Sequence, residues 1–203
     1  IFLVLISNMF PSEKQAAYGV FVANIKRNLE REGASISRLS LIKNRGQTKL
    51  SKAFKYLKYY LSVIFNYSKS DFDIFYVHFL SHNTPVLLFL DRFFKRKSKW
   101  VINIHGSDVT QSKGKSIDKY NLKILEKADK IIVPSDYFKA LMLDQYPSVL
   151  EAKYFVSASG GVPSDIFYLE KQKYARKDKF LIGYVSRMDK GKGWDFFLTA
   201  LSS

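Results

Sequence analysis

The chain has 203 residues, 47% of them apolar and 16% aromatic, which argues against a disordered chain and allows one or two domains with a sizeable core. It holds no cysteine, which excludes disulfides and thiolate metal sites. Against 18 acidic residues stand 33 basic ones, and the net charge of +15 draws anions of every kind, from nucleotides and nucleic acid to anionic lipid headgroups, without choosing among them.

Residues 1–6 form an apolar run too short to span a membrane and read as a first buried strand. A loop over residues 7–19 follows, broken by Pro11 and Gly19. Phe21, Val22, Ile25 and Leu29 then recur at helical spacing, and Gly33 stands where a helix ends. Residues 34–42 alternate like a strand. Leu50, Phe54, Leu57, Leu61, Ile64 and Phe65 mark an amphipathic helix, with Lys52, Lys55 and Lys58 off the apolar face. The expectation is that this apolar stripe packs on the sheet, while the Lys/Tyr edge leaves peripheral contact with an anionic membrane as an alternative.

Residues 72–79 are almost continuously apolar, as in a strand buried on both faces. The pattern then predicts a helix over 85–94, a strand over 100–104, a helix over 117–128, a strand over 130–133, a helix over 135–145 and a strand over 154–157. Strands alternating with helices predict an α/β fold, a Rossmann-like parallel sheet flanked by helices. Residues 170–179 are strongly charged and read as an exposed connector. The expected layout is a first domain over 1–166, a linker over 167–178 and the start of a second domain over 179–203. In that last segment, residues 180–185 read as a buried strand and 194–201 as the opening of a helix. No stretch approaches eighteen uninterrupted apolar residues, so no membrane span is expected.

Three loops follow predicted parallel strands, whose carboxyl ends gather ligands in such folds. In the first, Gly19 would let backbone N–H groups approach an anion at the next helix start, or simply make a turn. In the second, His105-Gly106-Ser107-Asp108, a sharp turn would aim the imidazole at the cleft. Neutral, it can orient a hydroxyl; protonated, it can stabilise developing negative charge. In the third, Arg187 can fork two hydrogen bonds to a phosphate, and Lys192 adds a flexible point charge. The chain has three histidines and no carboxylates at ligand spacing beside them, which argues against a zinc site. A Walker motif and a Gly-x-Gly-x-x-Gly turn after the first strand are both absent, which argues against a P-loop ATPase or an ordinary dinucleotide enzyme.

Taken in order, these segments resemble the retaining glycosyltransferases of the GT-B fold, in family four of the sugar-nucleotide enzymes. Residues 2–33, with Pro11 and Gly19-Val20-Phe21-Val22, resemble that family's opening strand and acceptor-side loop. Phe72-Asp73-Ile74-Phe75-Tyr76-Val77-His78 resembles its D-x-x-x-x-H strand, and His105-Gly106-Ser107-Asp108 its H-G-x-D turn. Residues 128–135 resemble its A-D-x-I-I-x-x-S strand, and Arg187 to Gly193 the G-R-x-x-x-x-K-G start of its second Rossmann-like domain. Gly160-Gly161-Val162-Pro163 departs from the usual N-G-V-D, and Ser186 replaces the glycine before Arg187.

The resemblance implies a GT-B amino-terminal domain followed by the first β-α unit of a second domain. The implied reaction moves a sugar, with retention, from a nucleoside diphosphate sugar to a glycan or lipid-linked acceptor, in cell-surface polysaccharide synthesis. His105 and Asp108 would be catalytic, with His105 orienting the donor sugar. Arg187, Lys192 and Gly19 would hold the donor diphosphate, so no metal or other cofactor is called for. Ser7 and Tyr18 would face the acceptor, and Gly160 and Gly161 would form the interdomain hinge. The family's Glu-x7-Glu segment would lie past Ser203, which implies that these residues are inactive by themselves. The expected location is the cytoplasm, peripheral to the inner face of the membrane. The competing expectation is a non-catalytic module for an acceptor glycan, a lipid-linked acceptor or a partner subunit. A specific nucleic-acid partner is not expected, because no recognised motif accompanies the charge.

Overall fold

The computed structural model describes residues 1–44, 48–69, 71–110, 112–158, 168, 182–186 and 190–202, with Ser107, Asp108 and Lys190 described by their backbone alone. The chain divides into two compact units, residues 1–162 and 163–203.

The first unit is a parallel sheet of six strands: β1 (Phe2–Ser7), β2 (Ser35–Leu41), β3 (Ile74–His78), β4 (Lys99–Asn103), β5 (Lys130–Val133) and β6 (Tyr154–Val156). They lie in the order β2-β1-β3-β4-β5-β6, so the α/β Rossmann-like class expected from the alternating pattern is what the chain adopts. Between strands run α1 (Val20–Arg31), α2 (Lys49–Lys69), α3 (Thr84–Phe93), the single turn α4 (Ser107–Thr110), α5 (Asp118–Lys127) and α6 (Asp136–Gln145). Ser135 caps α6 by accepting from the Phe138 N–H at 3.3 Å.

Side chains alternate across the sheet because a strand has period two. Val4, Ile6, Phe75, Val77, Ile102 and Ile131 point to one face, where Val63, Leu87, Leu90, Ile124 and Met142 of the helices complete the main core. Leu3, Leu5 and Tyr76 point to the other face and pack with Val22 of α1.

Two expectations are corrected. Of the apolar stripe of α2 only Ile64 packs against the main core: Leu50, Phe54, Leu57, Leu61 and Phe65 are exposed, and Tyr59, Val63, Asn66 and Tyr67 are the buried face. The reason is that the inward polar tips find partners, which removes the cost of burying them. Tyr59 Oη donates to Asn83 Oδ1 at 2.6 Å, Tyr60 Oη to the His82 carbonyl at 2.7 Å, and Asn66 Nδ2 to Ser40 Oγ at 2.9 Å.

The second correction concerns residues 180–185, read as a buried strand. Of these, 182–185 are described; they belong to no strand, and Val185 is 99% exposed. A strand needs a neighbouring ladder, and among the described residues no strand pairs with this segment.

In the second unit, the described residues form a 3-10 turn at Lys190–Lys192 and then α7 (Trp194–Leu201). Tyr184 stacks on Phe197 with ring centroids 5.3 Å apart and donates its hydroxyl to the Lys192 carbonyl at 2.9 Å. Among the described residues no helix is long and apolar enough to cross a membrane.

Candidate functional site

In a parallel sheet every strand delivers its following loop to the same edge. A crevice opens there where neighbouring strands send their connections to opposite sides. In this order that place lies between β1 and β3, since β2 follows β1 outward in one direction and β3 begins the march in the other.

The β1 loop is closed by its own polar groups. Ser7 is fully buried, donates its hydroxyl to the Met9 carbonyl at 2.7 Å and accepts from the Met9 N–H at 3.1 Å. Tyr18 Oη donates to the Asn8 carbonyl at 3.0 Å, tying the end of the loop to its start. Gly19 takes the N-cap position of α1 at φ 77°, with no side chain capping the helix. A Cβ there would lie 2.6 Å from the Met9 carbonyl carbon, so only glycine lets the two backbone stretches meet.

At the end of β3, Phe79 has φ 68°, a left-handed conformation that costs a bulky residue about 1–3 kcal/mol. Asn83 holds the turn. Fully buried at the start of α3, it makes no capping bond; instead Nδ2 donates to the carbonyls of His78 at 2.8 Å and Phe79 at 2.7 Å. The Phe79 N–H donates across to the Asn103 carbonyl at 3.0 Å.

That strained turn packs the Phe79 ring on His105, centroids 4.5 Å apart, while Phe21 of α1 approaches the same imidazole at 4.7 Å. Gly106 follows at φ 87°, and a Cβ there would press on the Phe138 ring at 2.6 Å. His105 Nε2 lies 3.0 Å from His78 Nδ1, and the two rings stack at 5.3 Å. His78 Nε2 is buried without a partner. A buried lone pair costs less than a buried orphan N–H, which favours the tautomer in which His78 Nδ1–H donates to His105 Nε2.

Burial lowers the pKa of all three histidines, His105 to about 4 and His78 well below the usual range, with the neighbouring His105 adding to the effect on His78. Of the two roles open to His105, the neutral one therefore holds at neutral pH. An unfolded histidine titrates near about 6.5, so as pH falls the unfolded chain takes up protons first. The stability due to these rings is complete above that value and is lost as pH falls from about 6.5 toward 4. Urea midpoints at about pH 7.5 and about pH 5.5 should show the lower value at the lower pH, and His105→Gln should shrink the difference. A midpoint unchanged between the two would contradict the neutral pair.

At the same edge of the sheet lies a cavity of about 450 Å³, lined by Tyr18, Asn44, Lys52, Lys55, Tyr56 and His82. Tyr56 and His82 stack at 6.1 Å, and Asn8 Nδ2 donates to Tyr56 Oη at 3.3 Å. Flat ring faces, amide and hydroxyl groups and two lysines suit a polyhydroxylated or anionic ligand. A larger hollow of about 660 Å³ lies at the opposite, amino-terminal edge, around Ile1, Ile74 and Lys99, away from the strand ends that gather ligands.

Of the residues expected from sequence, Ser7, Tyr18 and Gly19 lie in the loop after β1, and His105 lies in the loop after β4. Asp108 lies in α4, and its side chain is outside the described residues, as are Gly160, Gly161 and Arg187. Lys192 is exposed in the second unit. Asn83 and the left-handed Phe79 were missed; an asparagine two residues before Pro85 at a strand-to-helix turn was the available signal.

The family model described as glycosyl transferase 4-like matches residues 6–135. The chain belongs to that family. No curated protein matches it. The matched glycosyl transferase 4-like segment runs from the end of β1 to the Ser135 cap of α6, and so contains the β1 loop, the His78–His105 pair and the cavity. Family membership gives glycosyl transfer as the general activity, with a sugar donor and an acceptor as ligands.

Proposed function

We propose that this chain serves a retaining GT-B glycosyltransferase that moves a sugar from a nucleoside diphosphate sugar to a glycan or lipid-linked acceptor, in the cytoplasm and in cell-surface polysaccharide synthesis. The observation that carries this reading is the cavity lined by Tyr18 and His82, on the loops that follow β1 and β3 where those strands diverge. In the reaction the bond from the anomeric carbon to the diphosphate oxygen breaks, and a bond from the same carbon to an acceptor hydroxyl forms. The hydroxyl proton leaves with the diphosphate.

On this reading the cavity receives the acceptor, with Tyr18 in its wall and the buried Ser7 shaping the loop from behind. Neutral His105 orients the donor sugar, and Asp108, three residues further along the chain, is the second catalytic residue. Gly19 opens the start of α1 toward the diphosphate. Arg187 and Lys192 neutralise the diphosphate, the charge stabilisation a metal would otherwise supply. Gly160 and Gly161 act as the hinge.

In a protein that also carries the Glu-x7-Glu segment, Arg187→Ala should lower the transfer rate on the order of a hundredfold. Lys99→Ala, a charge removed at the amino-terminal end of β4, should leave it within about twofold. Equal losses would sink the donor-site assignment. Because the cavity belongs wholly to the first unit, an acceptor-binding module without catalysis is the second reading. Calorimetry separates them: heat with acceptor glycans and none with nucleoside diphosphate sugars would favour the module.

A further inference from the structure

Among the described residues, α2 carries an exposed apolar surface that the site does not explain. Leu50, Phe54, Leu57, Leu61 and Phe65 follow one another at steps of three or four residues, which places them on one side of a helix. Each is between 56% and 82% exposed. Isolated exposed apolar residues need no explanation, but a continuous stripe along a helix does. Across Lys49–Lys69 the helix carries five lysines and no aspartate or glutamate. Lys49 and Lys58 are both exposed and, at helical spacing, lie to either side of the stripe.

We propose that α2 docks the protein on an anionic lipid surface, its apolar stripe entering the headgroup boundary and its lysines meeting lipid phosphates. Charge decides the occupant. A second copy packing α2 against α2 along the stripe would set the flanking Lys49 and Lys58 of each copy against the other with no carboxylate on either helix to offset them. A bilayer with anionic headgroups offers the two things the face lacks, an apolar medium and negative charge, in the same layered order. The helix does not span: its 21 residues are interrupted by five lysines, and no helix of the described residues is both long and apolar enough to cross. It would lie in the interfacial plane, where an amphipathic helix of this length binds by buried apolar area together with electrostatic attraction.

Lys52, Lys55 and Tyr56 of the same helix line the cavity at the strand ends. Docking would therefore bring that cavity close to the lipid surface. The docking proposal stands without the transferase reading, because it needs neither donor nor transfer.

The test is flotation of the 203-residue chain with phosphatidylcholine vesicles, with and without phosphatidylglycerol, at low and high salt. The chain should float with the anionic vesicles and be released by salt. Leu57→Ser with Leu61→Ser, and separately Lys49→Gln with Lys58→Gln, should each lower partitioning by about tenfold or more. All four positions are exposed, so the urea midpoint should stay at the wild-type value. If the leucine pair lowers the midpoint, Phe54→Ser replaces it. Failure to float, equal flotation with neutral vesicles, or indifference to both pairs of substitutions would overturn the proposal. So would a dimer in sedimentation that the leucine substitutions dissolve, which would assign the face to a second copy. Absence of transfer in a protein that also carries the Glu-x7-Glu segment, with flotation intact, would count against the transferase reading alone.

Discussion

Replacing Gly19 by alanine should cost about 2–5 kcal/mol of unfolding stability, the left-handed backbone and the overlap acting together. Its φ is 77°, and the added carbon would sit 2.6 Å from one Met9 backbone atom and 2.7 Å from another. Backbone cannot swing aside as the tip of a side chain can, so the loop and the start of α1 must separate. Gly33 supplies the control. Its φ is 84°, but nothing lies within 4 Å of where its Cβ would be, so Gly33→Ala should cost only the conformational part, about 1–2 kcal/mol. Urea denaturation of the two variants separates strain from collision. Equal losses would show that the β1 loop yields freely, and Tyr18 would then be poorly fixed at the cavity wall.

The second large effect is expected at Asn83. Asn83→Leu keeps the number of side-chain heavy atoms and removes every bond the amide makes. The Tyr59 hydroxyl and the carbonyls of His78 and Phe79 would all lose this partner in a buried place, for a loss of about 3 kcal/mol or more. Tyr59→Phe breaks one of the same bonds and should cost about 1–2 kcal/mol. The larger substitution should also disturb the His78–His105 contact, because the turn it frees is the one that holds Phe79 against His105. Histidine ring resonances would report this directly. Losses of the same size in the two variants would mean that the left-handed turn is held by the sheet, through the Phe79 N–H, and not by Asn83.

The strands of the first unit were legible because burial on a parallel sheet leaves short, dense apolar runs, such as Val4 to Ile6 and Phe75 to Val77. The end of α1 was legible from Gly33, and the start of α6 from Ser135. The exposed face of α2 was not. Periodicity identifies which residues share a side of a helix, but it cannot say which side turns inward when one is aliphatic and the other is rich in tyrosine. That depends on whether acceptors such as Asn83 Oδ1 and the His82 carbonyl wait at the right height, and these come from another part of the chain. The His78–His105 pair was hidden for a related reason. The two lie 27 residues apart, and only the adjacency of β3 and β4 brings their rings together. His105 could be singled out as a strand-end residue; that its Nε2 meets another imidazole could not.

The inward bonds of α2 have a geometric consequence. Apolar contact is non-directional, and a helix held by it alone can roll by a fraction of a turn at little cost. Here Tyr56, Tyr59, Tyr60 and Asn66 engage partners from the β1 loop, the start of α3 and strand β2. Hydrogen bonds weaken steeply when bent, so rolling α2 would strain several of them at once. Burial raises the Tyr60 phenol to about 12, which leaves its hydroxyl protonated at every ordinary pH. The helix is thus keyed at a single azimuth, and its outward stripe has one fixed bearing relative to the strand ends.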